Sequence, residues 1–455
     1  MNGKEILLTT LRGGEASRVP WVPFTGVHAA ALIGMDAQSY LRDSDAIVRG
    51  IETAREAYQA DGLPVVFDLQ IEAEILGCAL SWAKDAPPSV TSHPLSDAEG
   101  GEIADLPAFR TDAGRLPVVL EAVRRLKESI GGECALYGLI CGPFTLALHL
   151  RGEDIFLDMF DEEDEVEALL AYCAGVCERA AEAYLSAGAD VIAVVDPMVS
   201  QISADHFTRF VAAPLDRIFA RVREKGAVSS LFVCGNATRN IEAMCATGCD
   251  NISVDENVDL AALRESALAH GKSFGGNLRL TTVLLMGDEA DAAREAVGCL
   301  EIGGERNHVL APGCDLPYDT PRANLEAAAR VVHDPYQRDI ARQLKASGRK
   351  EDYSDVSIPD YTASDKVIVD VVTLDSATCP PCYYMLKATR EAAGEVDAEV
   401  EVVEHKIRDR EGLAYMQELG VSAIPSICIQ GRPAFASLIP DRKKLAEAIR
   451  GAVNG

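Results

Sequence analysis

The sequence predicts an α/β protein: a (β/α)8 barrel over residues 1–345 and a second, smaller α/β domain over 365–455. Three observations carry this. Short β-branched runs alternate with longer amphipathic segments, the pattern of parallel strands joined by helical crossovers. Eight such runs precede residue 345, the number that closes a barrel. A polar stretch with Pro, Gly and Ser, 346–364, then breaks the pattern and reads as a linker or surface wrap.

The expected barrel strands begin with "VPWVPF" from Val19, "LPVVFD" ending at Asp68, "CALYGLI" from Cys134 and "VIAVVDP" from Val191. They continue with "SSLFVC" ending at Cys234, "NISVDE" from Asn251, "SFGGNL" from Ser273 and "HVLAPG" from His308. Each is short, apolar and bounded by turn residues, as buried strands are. Helical spacing fills the gaps, for example "EVEALLAYCAGVCERAAEAYLSAG" from Glu165 and "DLAALRESALAHG" from Asp259. The second domain reads strand ("KVIVDVVTL"), helix ("CPPCYYMLKATREAAG"), strand ("AEVEVVEHKI") and helix ("REGLAYMQELG"). A strand pair ("IPSICIQGRPAF") and a closing helix ("DRKKLAEAIRGAV") complete it.

Composition excludes several functions. Seventy-one acidic against 43 basic residues give a net charge of −28, which repels nucleic acid and anionic membrane surfaces. No apolar run reaches the ~18 residues of a membrane span, and the N-terminus lacks a signal-peptide core, so a cytoplasmic location is expected. In that compartment the 13 cysteines read as thiols, ligands or redox groups instead of a disulfide framework.

Cys379-Pro380-Pro381-Cys382 follows a strand and opens a helix. The unpaired N–H groups and partial positive charge of a helix N-terminus favour a thiolate at Cys379. Pro425, after Ile424 at the start of a later strand, fits the cis-proline that faces such a dithiol. In order and spacing this domain resembles a thioredoxin or glutaredoxin-like module, and the resemblance gives Cys379, Cys382 and Pro425 catalytic roles. A zinc-binding reading needs two more ligands, for which Cys428 and His405 are at hand.

Barrel active sites form where strands end, at the C-terminal face. The expected strands deliver His28, Asp68, Gln70, Glu72, Cys141, Asp196, Cys234, Asp255, Glu256, Asn277 and Cys314 to that mouth. Cys173, Cys177, Cys245, Cys249 and Cys299 fall in helices or turns and read as small buried hydrophobes.

The phrases "VFDLQIEAEILG", "YGLICGPFTLALHLRG", "VVDPMVSQISADHF", "FVCGNAT" and "LAPGCDLPYDTPRANLEA" together resemble the uroporphyrinogen decarboxylase superfamily of TIM barrels. More narrowly, residues 1–345 look like its branch of methylcobamide:coenzyme M methyltransferases. The decarboxylases' paired arginines are missing: "RVPWVPFTGVHAAA" holds Arg18 alone, with His28 in the turn. Their tyrosine after "TL" becomes His149, although Asp68, the carboxylate that would hold pyrrole nitrogens, remains.

In the methyltransferase branch a His-x-Cys and a distant Cys hold zinc, which activates an acceptor thiol. Cys234 and Cys314, 80 positions apart, match the two cysteines, but Phe232 stands where the histidine would be. A catalytic zinc needs three protein ligands. The expected metal set is therefore Cys234 and Cys314 completed by Asp255, Glu256 or His28, with a metal-free dithiol as the alternative. His28, Asp68, Glu72, His149, Asp196 and Asn277 are the expected substrate-binding residues.

The resemblance implies methyl transfer between a corrinoid and a small thiol or methylated molecule. No Asp-x-His-x-x-Gly signature of a cobalamin-binding domain is present, so the cobalamin arrives free or on another protein. A thiol-disulfide oxidoreductase with a binding barrel, and a decarboxylase acting on another substrate, are the competing readings.

Overall fold

The computed structural model describes residues 1–344, 353, 355–361, 366–377, 379–407, 409–421 and 423–453. Contacts divide the chain into two units, Met1–Ser347 and Gly348–Gly455.

In the first unit seven of the apolar runs become parallel strands, hydrogen-bonded in chain order. These are β1 (Gly62–Pro64), β2 (Ala135–Cys141), β3 (Val191–Val195), β4 (Val228–Val233), β5 (Asn251–Val254), β6 (Ser273–Leu278) and β7 (His308–Pro312). Sequential order with a helix in most crossovers curls the sheet and lays helices on its outer face. All residues of β2, β3 and β4 are buried, so none of these strands alternates between a buried and an exposed face. The two polar residues of β4, Ser229 and Ser230, bond through their hydroxyls to Asp250 and Asn251.

The expected first strand at Val19–Phe24 is not a strand. Pro20 and Pro23 have no N–H to give a ladder, and only an isolated bridge between Trp21 and Leu310 forms. That short segment still joins both edges of the sheet. Val22 N–H donates to Leu310 O (3.0 Å), Leu310 N–H to Pro20 O (3.0 Å), and Asp61 N–H, just before β1, to Trp21 O (2.9 Å). The second expected strand is likewise cut short at Pro64.

Inside the curl lies a core of Phe24, Phe67, Tyr137, Leu139, Val195, Phe232 and Ala311, with Cys234 and Cys314 packed on it. Phe24 stands at its centre, with ring centroids 4.8 Å from Phe232, 5.9 Å from Tyr137 and 6.2 Å from Phe67. Such pairs add about 0.5–1.5 kcal/mol each beyond burial.

The second unit is a four-stranded sheet ordered β9-β8-β10-β11, from β8 (Val367–Thr373), β9 (Val400–Lys406), β10 (Ser426–Ile429) and β11 (Arg432–Ala436). β8 and β9 are parallel, and the other two pairings are antiparallel. Helices Pro380–Gly394, Arg410–Glu418 and Arg442–Val453 accompany it. The β10–β11 hairpin turns on Gln430 (φ 48°) and Gly431 (φ 73°), the two positive φ angles that a two-residue hairpin loop demands.

Part of the expected linker 346–364 lies outside the described residues. The described part acts as a wrap: Val356, Ile358 and Tyr361 pack on a cluster of Val372, Ile407, Tyr415, Met416 and Cys428. Among the described residues no helix is long and apolar enough to cross a membrane.

Candidate functional site: a cysteine pair at the strand ends

Two turns, 80 residues apart in sequence, meet at the C-terminal ends of the strands. Cys234 leaves β4 into a turn at Gly235 (φ 84°), whose backbone N–H is held by the Asp255 carboxylate at the end of β5. Cys314 leaves β7 after Gly313, whose N–H donates to Leu278 O (3.0 Å). A side chain at Gly313 would put its Cβ 2.6 Å from the Glu256 backbone nitrogen, so only glycine lets this loop pass. Cys234 and Cys314 are thereby brought within 5.8 Å, Cα to Cα, and their sulfurs form a disulfide.

Both of these cysteines are half-buried, whereas the nine free cysteines are all buried. Burial pushes Cys78, Cys299 and Cys428 up to about 12 and Cys249 up to about 11, so they stay protonated. Cys141, Cys173 and Cys177 are raised well above the ordinary thiol value by the same cause.

Phe232 points into the interior and is fully buried. Its ring packs on Phe24 and, edge-on at 5.8 Å, on Phe67. The position where the resemblance wants a histidine is thus an apolar floor beneath the cysteine pair.

The expected metal set does not assemble. Among the described residues no group of three His, Cys, Asp or Glu side chains could hold a metal ion. Asp255 is spent on the local turns: besides Gly235, its Oδ1 accepts from Asn257 N (2.9 Å) and Asn257 Nδ2 (2.5 Å). Glu256 accepts from the Leu280 backbone N–H, and burial, then Asp255, pushes its carboxyl up to about 8. His28 has both ring nitrogens engaged, Nε2 with Tyr58 OH (2.7 Å) and Nδ1 with Tyr318 O (3.0 Å). Two thiols without a third donor do not fit a catalytic zinc.

The expected substrate-binding residues divide between the mouth and the scaffold. Asp68 is buried, pairs with Arg115 and accepts from Gln70 N (3.0 Å). Glu72 is buried, one of its carboxyl oxygens has no partner among the described residues, and burial pushes it up to about 8. Asp196 is a helix cap, which the sequence reading missed. It accepts from Phe144 N (3.0 Å), Thr145 N (2.8 Å) and Thr145 Oγ1 (2.6 Å), and so satisfies the first turn of helix Pro143–Arg151. Asn277 is a latch, donating to Asp255 O (3.2 Å) and Val258 O (2.7 Å). His149, late in that same helix, has its backbone oxygen bonded by Cys78 and His93. Burial lowers its imidazole to about 3.

Two further residues belong to this mouth. Arg115, just before helix Leu116–Ser129, reaches Asp68 and Glu74 (2.8 Å). No strand end points to it, so nothing in the sequence singled it out. Asp315, the residue after Cys314, was not among the expected site residues, although its place beside that cysteine was a signal that could have found it. Its Oδ1 is shut from solvent and has no partner among the described residues, and burial, then Asp68, raises its carboxyl well above the usual range. The lone arginine of the first segment, Arg18, is taken by Asp61 in a two-point pair (2.6 and 2.8 Å).

In the second unit Cys379 caps helix Pro380–Gly394, with Cys382 N–H pointing at its sulfur (3.4 Å). The two cysteines form a disulfide, Cys382 fully buried and Cys379 half-buried. The Ile424–Pro425 peptide is cis.

Residues 2–335 match the uroporphyrinogen decarboxylase (URO-D) family model. A methylcobamide:CoM methyltransferase of Methanosarcina acetivorans is 31% identical over 71% of this chain and 95% of its own length. A second, from Methanosarcina barkeri, is 30% identical over 73% of this chain and 98% of its own. Among solved structures, a methyltransferase from Methanosarcina mazei superposes with a TM-score of 0.67 at 28% identity, over 75% of this chain and 99% of that one.

Proposed function

The chain belongs to the uroporphyrinogen decarboxylase family, and from that premise we propose that it is a corrinoid-dependent methyltransferase, moving a methyl group between a methylcobamide and a small thiol. The observation that carries this is the similarity to the Methanosarcina acetivorans methylcobamide:CoM methyltransferase, which spans nearly that whole protein. The carbon–sulfur bond forms as the cobalt–carbon bond breaks, its electron pair remaining on cobalt. The corrinoid is a substrate here, delivered free or on a separate protein.

The chemistry of the mouth argues against porphyrinogen decarboxylation. A substrate with many carboxylates needs exposed guanidinium groups. Arg18 is bound by Asp61, Arg115 by Asp68 and Glu74, and Asp68 is no longer free to take pyrrole N–H groups. Zinc is not part of this proposal, because the donor set around Cys234 and Cys314 lacks a third ligand.

The second unit acts as a thioredoxin-like dithiol module. Its support is the helix-capping Cys379, the buried Cys382, the mixed sheet with β8 and β9 parallel, and the cis Pro425.

The test is anaerobic incubation of the reduced full-length protein with methylcobalamin and a panel of small thiols. Loss of the methylcobalamin spectrum and formation of an S-methyl product are expected. Absence of both, together with no methylation of cob(I)alamin by methylated thiols, would sink the assignment.

A further inference from the structure

We infer that Cys234 and Cys314 form a redox-active pair that exchanges electrons with small disulfides at the strand ends, an activity distinct from methyl transfer. The family's metal chemistry is absent from the donor set, yet both cysteines remain, facing each other and accessible. An inert cysteine is buried and protonated, as the nine free cysteines are. These two stand apart from them.

The scaffold holds the pair from both sides. Asp255 fixes the Cys234 turn through Gly235 N–H, and Leu278 O fixes the Cys314 turn through Gly313 N–H. Leu316 N–H adds a third tie, to Phe24 O (2.9 Å). With the backbone pinned on each side, opening the disulfide to two thiols needs only side-chain rotation. Beneath the sulfurs the rings of Phe232, Phe24 and Phe67 close the interior. A reagent therefore approaches from the strand ends, where both cysteines are half-buried.

The exchange balances as follows. One cysteine thiolate of the reduced pair attacks a sulfur of a low-molecular-weight disulfide, RSSR. A protein–SR mixed disulfide forms and one RS⁻ leaves. The second cysteine attacks the protein sulfur of that bond, closing Cys234–Cys314 and releasing the second RS⁻. Two electrons pass to the small disulfide, and the two cysteine protons end on the released thiolates. An excess of small thiol reverses both steps.

The experiment uses the full-length chain carrying Cys379→Ser and Cys382→Ser, so that the second dithiol is silent. The reduced protein is mixed with 2-hydroxyethyl disulfide, quenched with N-ethylmaleimide and weighed intact. The expected result is loss of both maleimide adducts, release of two mercaptoethanol molecules per chain and full recovery with dithiothreitol. Adding Cys234→Ser should trap one mercaptoethanol on Cys314. Should that variant not fold, Cys314→Ser reports the same adduct on Cys234. The inference is overturned if both thiols stay alkylatable at about 100-fold excess of the disulfide while the circular dichroism is unchanged. It is equally overturned if the reduced chain retains one zinc through gel filtration and loses it on Cys234→Ser.

Discussion

Replacing Phe232 by histidine separates the two chemistries open to the cysteine pair. In the wild type the ring is fully buried and packs on Phe24 at 4.8 Å and Phe67 at 5.8 Å. Phe232→His weakens two aromatic pairs worth about 0.5–1.5 kcal/mol each. It also buries imidazole nitrogens among phenyl rings, at about 1–3 kcal/mol for each polar group left without a partner. The metal-free variant should therefore lose about 3–9 kcal/mol, a large share of the ~5–15 kcal/mol that holds a typical domain together. The imidazole would stand two residues before Cys234 and complete a three-ligand set with Cys314. Zinc should then restore stability, by about 2.7 kcal/mol at a hundredfold excess over the dissociation constant. The assay is urea unfolding of reduced wild type and variant, each with and without zinc. Equal stabilisation of both proteins by zinc would refute the reasoning, since another side chain would already be the third ligand.

Arg115→Met strips the buried Asp68 of its counter-ion and should cost about 3–5 kcal/mol in urea unfolding. Asp196→Ala should destabilise by about 2 kcal/mol through loss of the helix cap, seen as a lower unfolding midpoint with unaltered redox titration of Cys379–Cys382. Burial holds Glu72 neutral up to about 8, above its ordinary value of 4.5. Its contribution is complete below that ordinary value and lost as pH climbs through about 8. Stability should fall across this window by a few kcal/mol at most, and Glu72→Gln should flatten the fall in unfolding curves recorded from pH 5 to 9. In the reduced second unit, iodoacetamide should modify Cys379 about tenfold faster than the fully buried Cys382, as read by peptide mass.

Sequence periodicity alone determined most of the framework. Seven of eight expected strands formed, because short buried runs bounded by turn residues and separated by helical segments pair in parallel, in chain order. The eighth failed for a reason also written in the chain: Pro20 and Pro23 withhold donors, so the segment closes the sheet edges through scattered hydrogen bonds without a ladder. Strand ends place Cys234 and Cys314 at the mouth together with Cys141, and the resemblance to the methyltransferase branch is what singled out Cys234 and Cys314 as a pair. What the remaining polar residues do was decided only in three dimensions. Asp196 and Asn277 look like ligands in the sequence, yet Asp196 is consumed by the first-turn N–H groups of a helix and the amide of Asn277 by carbonyls of the Asp255–Val258 loop. Arg115 was invisible because its partner Asp68 lies 47 residues away, and a pairing between a helix start and a loop beyond a strand leaves no periodic trace. Composition and spacing say which side chains reach the mouth. Whether a carboxylate there is free depends on which backbone N–H groups the fold brings within about 3 Å of it.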